Sequence, residues 1–233
     1  MAIYVTSDAH GHVRALDEAL SKISLASDDT LYVLGDMIDR GPDPVGVIKL
    51  VRSLPNARVL KGNHEQIMLD AIIGQDPLDA ETWDINGGWT TRQQLNDMEF
   101  EAYEELVRWM ATLPLYAVAE TDERPYLLVH AGIQTEAARA FLLEHGVDCA
   151  DGAGAVDADR ELLKQMLAVQ SSDDLLWIRH GYWDAPTGLL SAEGKGPVVV
   201  SGHTPTVSLG RYCEVGGLAG LDEESGRGQI VRL

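Results

Sequence analysis

Cysteine is scarce: Cys149 and Cys213 are the two in 233 residues. Two thiols cannot build a disulfide scaffold, no CxxC pair is present, and this usage fits a reducing compartment. Long apolar runs are missing too. No stretch approaches the roughly 20 apolar residues that span a bilayer, and the N-terminus lacks a basic segment followed by an apolar one, so no signal peptide is expected. A cytoplasmic protein is the expectation. Basic charge is also short: 18 Lys and Arg stand against 37 Asp and Glu, for a net charge of −19 and a pI near 4.5. No basic footprint for nucleic acid exists, and anionic membranes repel the chain on average, so neither is an expected partner. A local basic site can still hold an anion. The GxxxxGK[ST] loop, the GxGxxG fingerprint and a cysteine-phosphatase signature are all absent.

What is present suits a globular fold. Hydrophobic residues make up 45% and charged residues 24%, enough for a sizeable core. No repeat, low-complexity stretch or linker breaks the chain, so one domain over residues 1–233 is expected. Apolar, β-branched runs at 2–5, 30–35 and 57–62 predict strands. Apolar residues at helical spacing predict helices at about 12–24 (Leu16, Leu20, Ile23) and from Val47 to Leu54, with another marked by Ile67, Met68, Ala71 and Ile72. This βαβαβα order predicts a covered parallel sheet with right-handed crossovers, all strand C-terminal ends lying at one edge. Residues 74–100 read as a polar insertion with short helices. A helical stripe runs from Tyr103 to Leu113. "LYAVAE" and "PYLLVHAG" read as an antiparallel pair, and helices are expected near 135–145 and 157–169. "PVVVSGHTP" (197–205) reads as a buried strand, and the tail as short strands with a turn at "DEESGRG".

Five apolar runs end in polar residues: "SDAHG" (7–11), "LGDMIDRG" (34–41), "LKGNHE" (60–65), "LVHAG" (128–132) and "VSGHT" (200–204). Open α/β sheets bind ligands at that edge. Asp8 and His10, if the chain is still extended, project to one side and offer a carboxylate and an imidazole to one cation. Asp36 can bridge to a second, completed by Asn63, His130 and His203. This O and N set without thiolate suits Mn, Fe, Zn, Co or Ni. Two ions about 3.5–4 Å apart form a clamp for phosphoester hydrolysis, with metal-bound hydroxide attacking phosphorus in line. His64, beside Asn63, is read as the general acid for the leaving group. Asp39 orients it and keeps it charged. Arg40 and Arg179 are candidate phosphate grips. Glu65 supports its loop, His12 starts the first helix, and His145 sits at a helix C-terminus.

The five motifs in this order resemble those of calcineurin-like metallophosphoesterases, more closely the phosphoprotein phosphatase superfamily in its compact bacterial and bacteriophage lambda-type branch. The resemblance runs from Asp8 to about His203. It implies an α/β fold, a four-layer sandwich with two mixed β-sheets flanked by helices and a dimetal centre. It implies Asp8, His10 and Asp36 as ligands of one ion, and Asp36, Asn63, His130 and His203 as ligands of the other. His64 and Asp39 match the acid dyad, and Arg40 and Arg179 the phosphate-binding arginines. Within this resemblance, "DRG" together with Glu65 favours a protein serine/threonine phosphatase. Its substrate would be a phosphoprotein or small phosphoester, and Mn the ion of choice in assay. The alternatives are a symmetrical bis(5'-nucleosyl)-tetraphosphatase, making ADP from diadenosine tetraphosphate, and a noncatalytic metal-binding module. Two departures stand out: Ala9 replaces a branched residue of the first motif, and "YCEVGG" replaces an Asp-Thr-Gly sequence in the tail.

Overall fold

A computed structural model describes residues 1–74, 76–149, 153–179, 188–191, 193–205, 213–215, 218–220 and 230–233. The fold is α/β, with two mixed β-sheets flanked by helices. The chain divides into two compact units: residues 1–114 with the last strand, and a second beginning at Leu115. Among the described residues, no helix is long and apolar enough to cross a membrane.

The first unit follows the alternation read from the sequence. Strands β1 (Ile3–Thr6), β2 (Thr30–Val33) and β3 (Ala57–Val59) are parallel. The C-terminal strand β9 (Val231–Arg232) pairs antiparallel with β1, Val5 opposite Val231, giving the order β3-β2-β1-β9. Val5, Leu31 and Val33 are completely buried, as strands covered on both faces require. Helix α1 (Val13–Ile23) buries Leu16, and α2 (Pro44–Ser53) buries Val45, Val47, Ile48 and Val51. The start of α2 is set locally. Asp43 accepts from the Gly46 N–H at 2.9 Å, and Pro44 follows it at a position whose N–H would have no helical partner. Helix α3 (Asn63–Leu69) continues as a π-helical turn (Asp70–Gly74). The insertion then forms α4 (Pro77–Ile85) and α5 (Trp89–Asn96), and α6 (Phe100–Ala111) buries Leu106 and Met110.

The strands are shorter than the apolar runs. Residues 34–35 and 60–62 leave the ladder to build loops, although Leu34 still donates to the Thr6 carbonyl and Leu60 to that of Val33, both at 2.8 Å.

In the second unit, β4 (Tyr116–Glu120) and β5 (Pro125–Val129) form the expected antiparallel pair. β5 runs parallel to β6 (Val198–Ser201), which pairs parallel with β8 (Leu218–Gly220). β7 (Cys213–Val215) closes the order β4-β5-β6-β8-β7. Helices α7 (Thr135–Glu144), α8 (Arg160–Ala168) and α9 (Ser172–Trp177) pack Leu142, Leu163, Met166 and Leu175 with Leu127, Val129 and Val199. Helix α8 starts three residues later than periodicity alone places it, because Asp159 caps it by accepting from the Leu162 N–H at 2.8 Å. His145 ends α7, its Nδ1 2.8 Å from the Phe141 carbonyl. The expected "DEESGRG" turn lies outside the described residues.

Gly35 joins β2 to its loop at φ +94°, and a Cβ there would stand 2.3 Å from the Gly62 nitrogen. Gly35→Ala is therefore expected to lose more than about 1 kcal/mol of stability. Urea unfolding would read this as a lower midpoint at unchanged slope.

Candidate metal centre

Three loops at the C-terminal ends of β1, β2 and β3 carry the polar residues of the first unit. Asp8 and His10 follow β1, Asp36, Asp39 and Arg40 follow β2, and Asn63 and His64 open α3 after β3. The chain is not extended at the first of these. Asp8, His10, Asp36, Asp39 and Arg40 all have left-handed backbone, with φ between 40° and 69°. Asp and His tolerate this better than most residues, but each still costs about 1–3 kcal/mol unless the surroundings enforce it. Bonds between loops enforce it here. Asp8 N–H donates to the Gly35 carbonyl at 3.1 Å, His10 N–H to Asp36 at 2.9 Å, and Gly11 N–H to Met37 at 2.9 Å. The two side chains after β1 thus converge by curling rather than by strand pleat: His10 Nε2 lies 3.9 Å from Asp8 Oδ1 and 3.6 Å from Asp36 Oδ2.

The carboxylates are crowded. Asp8, Asp36 and Glu65 are all buried. Burial, then the charges of Asp8 and Glu65, push the Asp36 carboxyl well above its ordinary range. Glu65 clamps two loops. Its Oε2 accepts from the Asp36 and Gly62 N–H groups and its Oε1 from Met37 N–H, each at 2.8 Å. The Ser7 hydroxyl donates to Asp8, and His64 N–H donates to Asp36 Oδ1 at 3.0 Å. His10 is neutral at ordinary pH. Burial and the nearby His64 are the two largest causes that lower it, to about 3. Its Nδ1–H donates to the Ile38 carbonyl at 2.9 Å, which leaves Nε2 as the electron-pair donor.

His64 and Asp39 meet as the motifs imply. His64 Nδ1 lies 2.7 Å from Asp39 Oδ2, with both residues completely buried. Asp39 also accepts from Trp83 Nε1–H at 3.0 Å and from the Thr91 hydroxyl at 2.6 Å. Burial raises its carboxyl to about 6 against the opposing pull of those two hydrogen bonds. Arg40 reaches across the cluster, its Nη1 3.0 Å from His10 Nε2 and its Nη2 2.9 Å from His64 Nε2. Both imidazoles accept from the guanidinium, so both carry their proton on Nδ1. Ligand atoms of His10, Asp36 and His64 fall within 4.8 Å of one another.

The second unit builds its own pair. His130 follows β5 and His203 follows the adjacent parallel strand β6, and both are buried. His203 has φ 64°. Gly202 N–H donates to the His130 carbonyl at 2.8 Å, and Ala131 N–H ties its loop to Leu175 of α9 at 2.8 Å. His130 Nε2 and His203 Nδ1 are 3.2 Å apart. Arg179 Nη2 lies 3.5 Å from the same His203 nitrogen, and the Trp177 ring stands edge-on to His203 at 6.1 Å. Arg179 is exposed.

Buried carboxylates beside neutral imidazoles make an environment that repels a further anion and favours a divalent cation. The residues present therefore fit a metal site of mixed O and N donors without thiolate. The calcineurin-like phosphoesterase model matches residues 1–224. The chain belongs to this family. It is, accordingly, a metal-dependent phosphoesterase. A calcineurin-like relative, the symmetrical bis(5'-nucleosyl)-tetraphosphatase of Proteus mirabilis, is 29% identical over 220 residues, covering 91% of this chain and 68% of its own. Other curated relatives are spanned over 45% and 50% of their length. Among solved structures, one described as a candidate diadenosine tetraphosphatase matches all of this chain and 92% of its own, with TM-score 0.57 and 18% identity. A cold-active protein-tyrosine phosphatase from Shewanella matches all of this chain and 75% of its own, at 0.56 and 17%. At these identities the two structures share the fold.

The ten expected site residues fall into two groups. Asp8, His10, Asp36, Asp39, Arg40, Asn63 and His64 stand on neighbouring loops of the first unit, and His130, His203 and Arg179 are grouped in the second. Two contributors, Trp83 and Thr91, escape motif reading. They lie outside the five strand-end motifs, on an insertion whose polar composition looks like surface; their burial beside a Gly-Gly pair was the available signal.

Affinity for Mn2+ is expected to rise with pH through the acidic range and then level. Asp36 in the metal-free protein holds its proton to higher pH than an ordinary carboxyl, and the cation must displace that proton. His10, neutral above about pH 3, adds nothing in that range. Calorimetry in buffers of differing ionisation enthalpy would show the released proton; binding with no proton release above the ordinary carboxylate range would contradict the raised Asp36.

Proposed function

We propose that this calcineurin-like phosphoesterase hydrolyses symmetrical dinucleoside tetraphosphates, releasing two nucleoside diphosphates. The observation that carries this reading is the near full-length similarity to the Proteus tetraphosphatase. On this reading Asp8, His10, Asp36, Asn63, His130 and His203 are the residues that would hold two divalent cations, Mn2+ being the first to assay. When bound, the cations would activate water and offset charge on the phosphoryl oxygens.

The chain's own residues do the rest. Arg40 and Arg179 supply the fixed positive charge that a polyphosphate needs on a protein of net charge −19. A guanidinium matches two phosphoryl oxygens at once. On this reading the Arg40 guanidinium leaves His64 Nε2 for the phosphoryl oxygens, and that nitrogen takes up a solvent proton. As the new phosphorus–oxygen bond forms, the bridging bond breaks, and His64 donates the Nε2 proton to the departing oxygen. Asp39 holds the ring through Nδ1–H and stabilises its cationic form.

Hydrolysis of phosphoserine or phosphothreonine in proteins is the second reading. It is favoured by the fully built His64–Asp39 pair, since an alkoxide leaving group needs protonation more than a diphosphate does. Glu65, counted for this reading by motif, supports it less than its letter implies. Its carboxylate accepts from three backbone amides, so its identity reports on loop clamping.

The test uses Mn2+-loaded protein with diadenosine tetraphosphate and, separately, a phosphoserine peptide, with products resolved by chromatography. ADP is expected as the dominant product, with His64→Gln slower by about 100-fold or more. ATP with AMP would overturn symmetrical cleavage. Phosphate from the peptide without ADP would replace the first reading with the second.

A further inference from the structure

We infer that Trp83 and Thr91, on the inserted helical pair α4–α5, are positioning residues for the acid His64, acting through Asp39. The inference rests on the phosphoesterase reading for its chemistry but on separate observations for its geometry.

The insertion grips Asp39 and the start of Arg40 through five hydrogen bonds. Trp83 Nε1–H donates to both Asp39 oxygens, at 3.0 and 3.2 Å. The Thr91 hydroxyl donates to Asp39 Oδ1 at 2.6 Å, while the same oxygen accepts from Asp39 N–H at 2.9 Å. Arg40 N–H donates to the Gly87 carbonyl at 3.0 Å. Backbone and carboxylate of Asp39 are therefore fixed together, as is the start of Arg40. Asp39 and Arg40 are consecutive left-handed residues, at φ 69° and 63°, a conformation that neighbouring structure must impose.

The bracket is itself held. Trp83 is 2% exposed and Thr91 is 0% exposed. Gly88 N–H donates to the Trp83 carbonyl at 2.9 Å, and a Cβ on Gly88 would fall 2.2 Å from Trp83 Cδ1. The Gly-Gly turn thus lets α5 fold back directly over the indole. Arg92 lies over the Trp83 ring, 5.0 Å from its centroid, and pairs with Asp84. A carboxylate with a single partner can rotate. One with donors on both oxygens presents one lone pair to His64 Nδ1 and fixes where Nε2 points, which is the variable that proton delivery depends on.

The experiment has two arms, each with Trp83→Phe, Thr91→Val and Thr91→Ser. The first needs neither substrate nor metal. The downfield proton resonance of His64 Nδ1–H is identified by its loss in His64→Gln, and its exchange with solvent is measured. Exchange about tenfold or more faster in Trp83→Phe and Thr91→Val, restored in Thr91→Ser, is expected for loss of outer partners; unchanged exchange overturns the inference. The second arm compares phenyl phosphate, a poor leaving group, with 2,4-dinitrophenyl phosphate, a good one. A loss of about tenfold or more confined to phenyl phosphate, in kcat rather than KM, supports positioning of the acid. Equal loss on both overturns it in favour of a purely structural role. Faster exchange in Trp83→Phe and Thr91→Val, with a wild type that hydrolyses neither these esters nor diadenosine tetraphosphate, would uphold the geometry and overturn the proposed hydrolase reading instead.

Discussion

Everything in the first unit's site follows from one constraint: three carboxylates, Asp8, Asp36 and Glu65, are buried close together. Like charges at low dielectric repel strongly. Two solutions operate at once. Glu65 is neutralised by backbone dipoles, three N–H groups at 2.8 Å. Asp8 and Asp36 face imidazoles and the Arg40 guanidinium. The first solution shapes the chain, because amides converge on Glu65 only if the loops after β2 and β3 curl inward. The left-handed residues are the backbone consequence, and the glycine at 35 is what lets those loops approach.

The same constraint separates the fate of the histidines. His10 is deprived of its proton by burial and by its neighbours, and its Nδ1–H is committed to a carbonyl, so it can only give electrons. His64 has its Nδ1–H on a carboxylate, the contact that the proposed acid role draws on. On the proposed reading, two imidazoles with centroids 4.7 Å apart take opposite tasks, set by what each Nδ1 touches. Ligand geometry alone groups His64 with His10 and Asp36; the Asp39 contact is the feature on which its proposed role as the acid rests.

Much of this was legible in the residues. The alternation of apolar runs with helical stripes encodes the parallel strands β1 to β3, and each polar cluster lies just past a strand because a parallel sheet gathers its C-terminal ends. Pro44 after Asp43 announces α2. Other features are not local. The pairing of β9 with β1 joins the two ends of the chain, and two residues of strand leave little pattern. The curl at Asp8 and His10 looks like extended chain in sequence, since only contacts with Gly35 and Asp36 of another loop produce it. Asp159 capping α8 is a side-chain choice that hydrophobic spacing does not record. Trp83 and Thr91 are hidden for the same reason: their partner is more than forty residues away.

Substrate identity resists motif reading on physical grounds. Motif residues act on what all phosphoesters share, the cations and the phosphoryl oxygens, and a monoester and a polyphosphate present those alike. The exception offered by sequence, Glu65 rather than Asp, concerns a side chain occupied by backbone amides. An aspartate there would have to reach the same three amides with one methylene fewer, shifting the loops slightly while leaving the phosphoryl chemistry intact. Similarity along the whole chain therefore outweighs that single letter. It takes in residues beyond the motifs, and it is what supports a dinucleoside polyphosphate on the proposed reading.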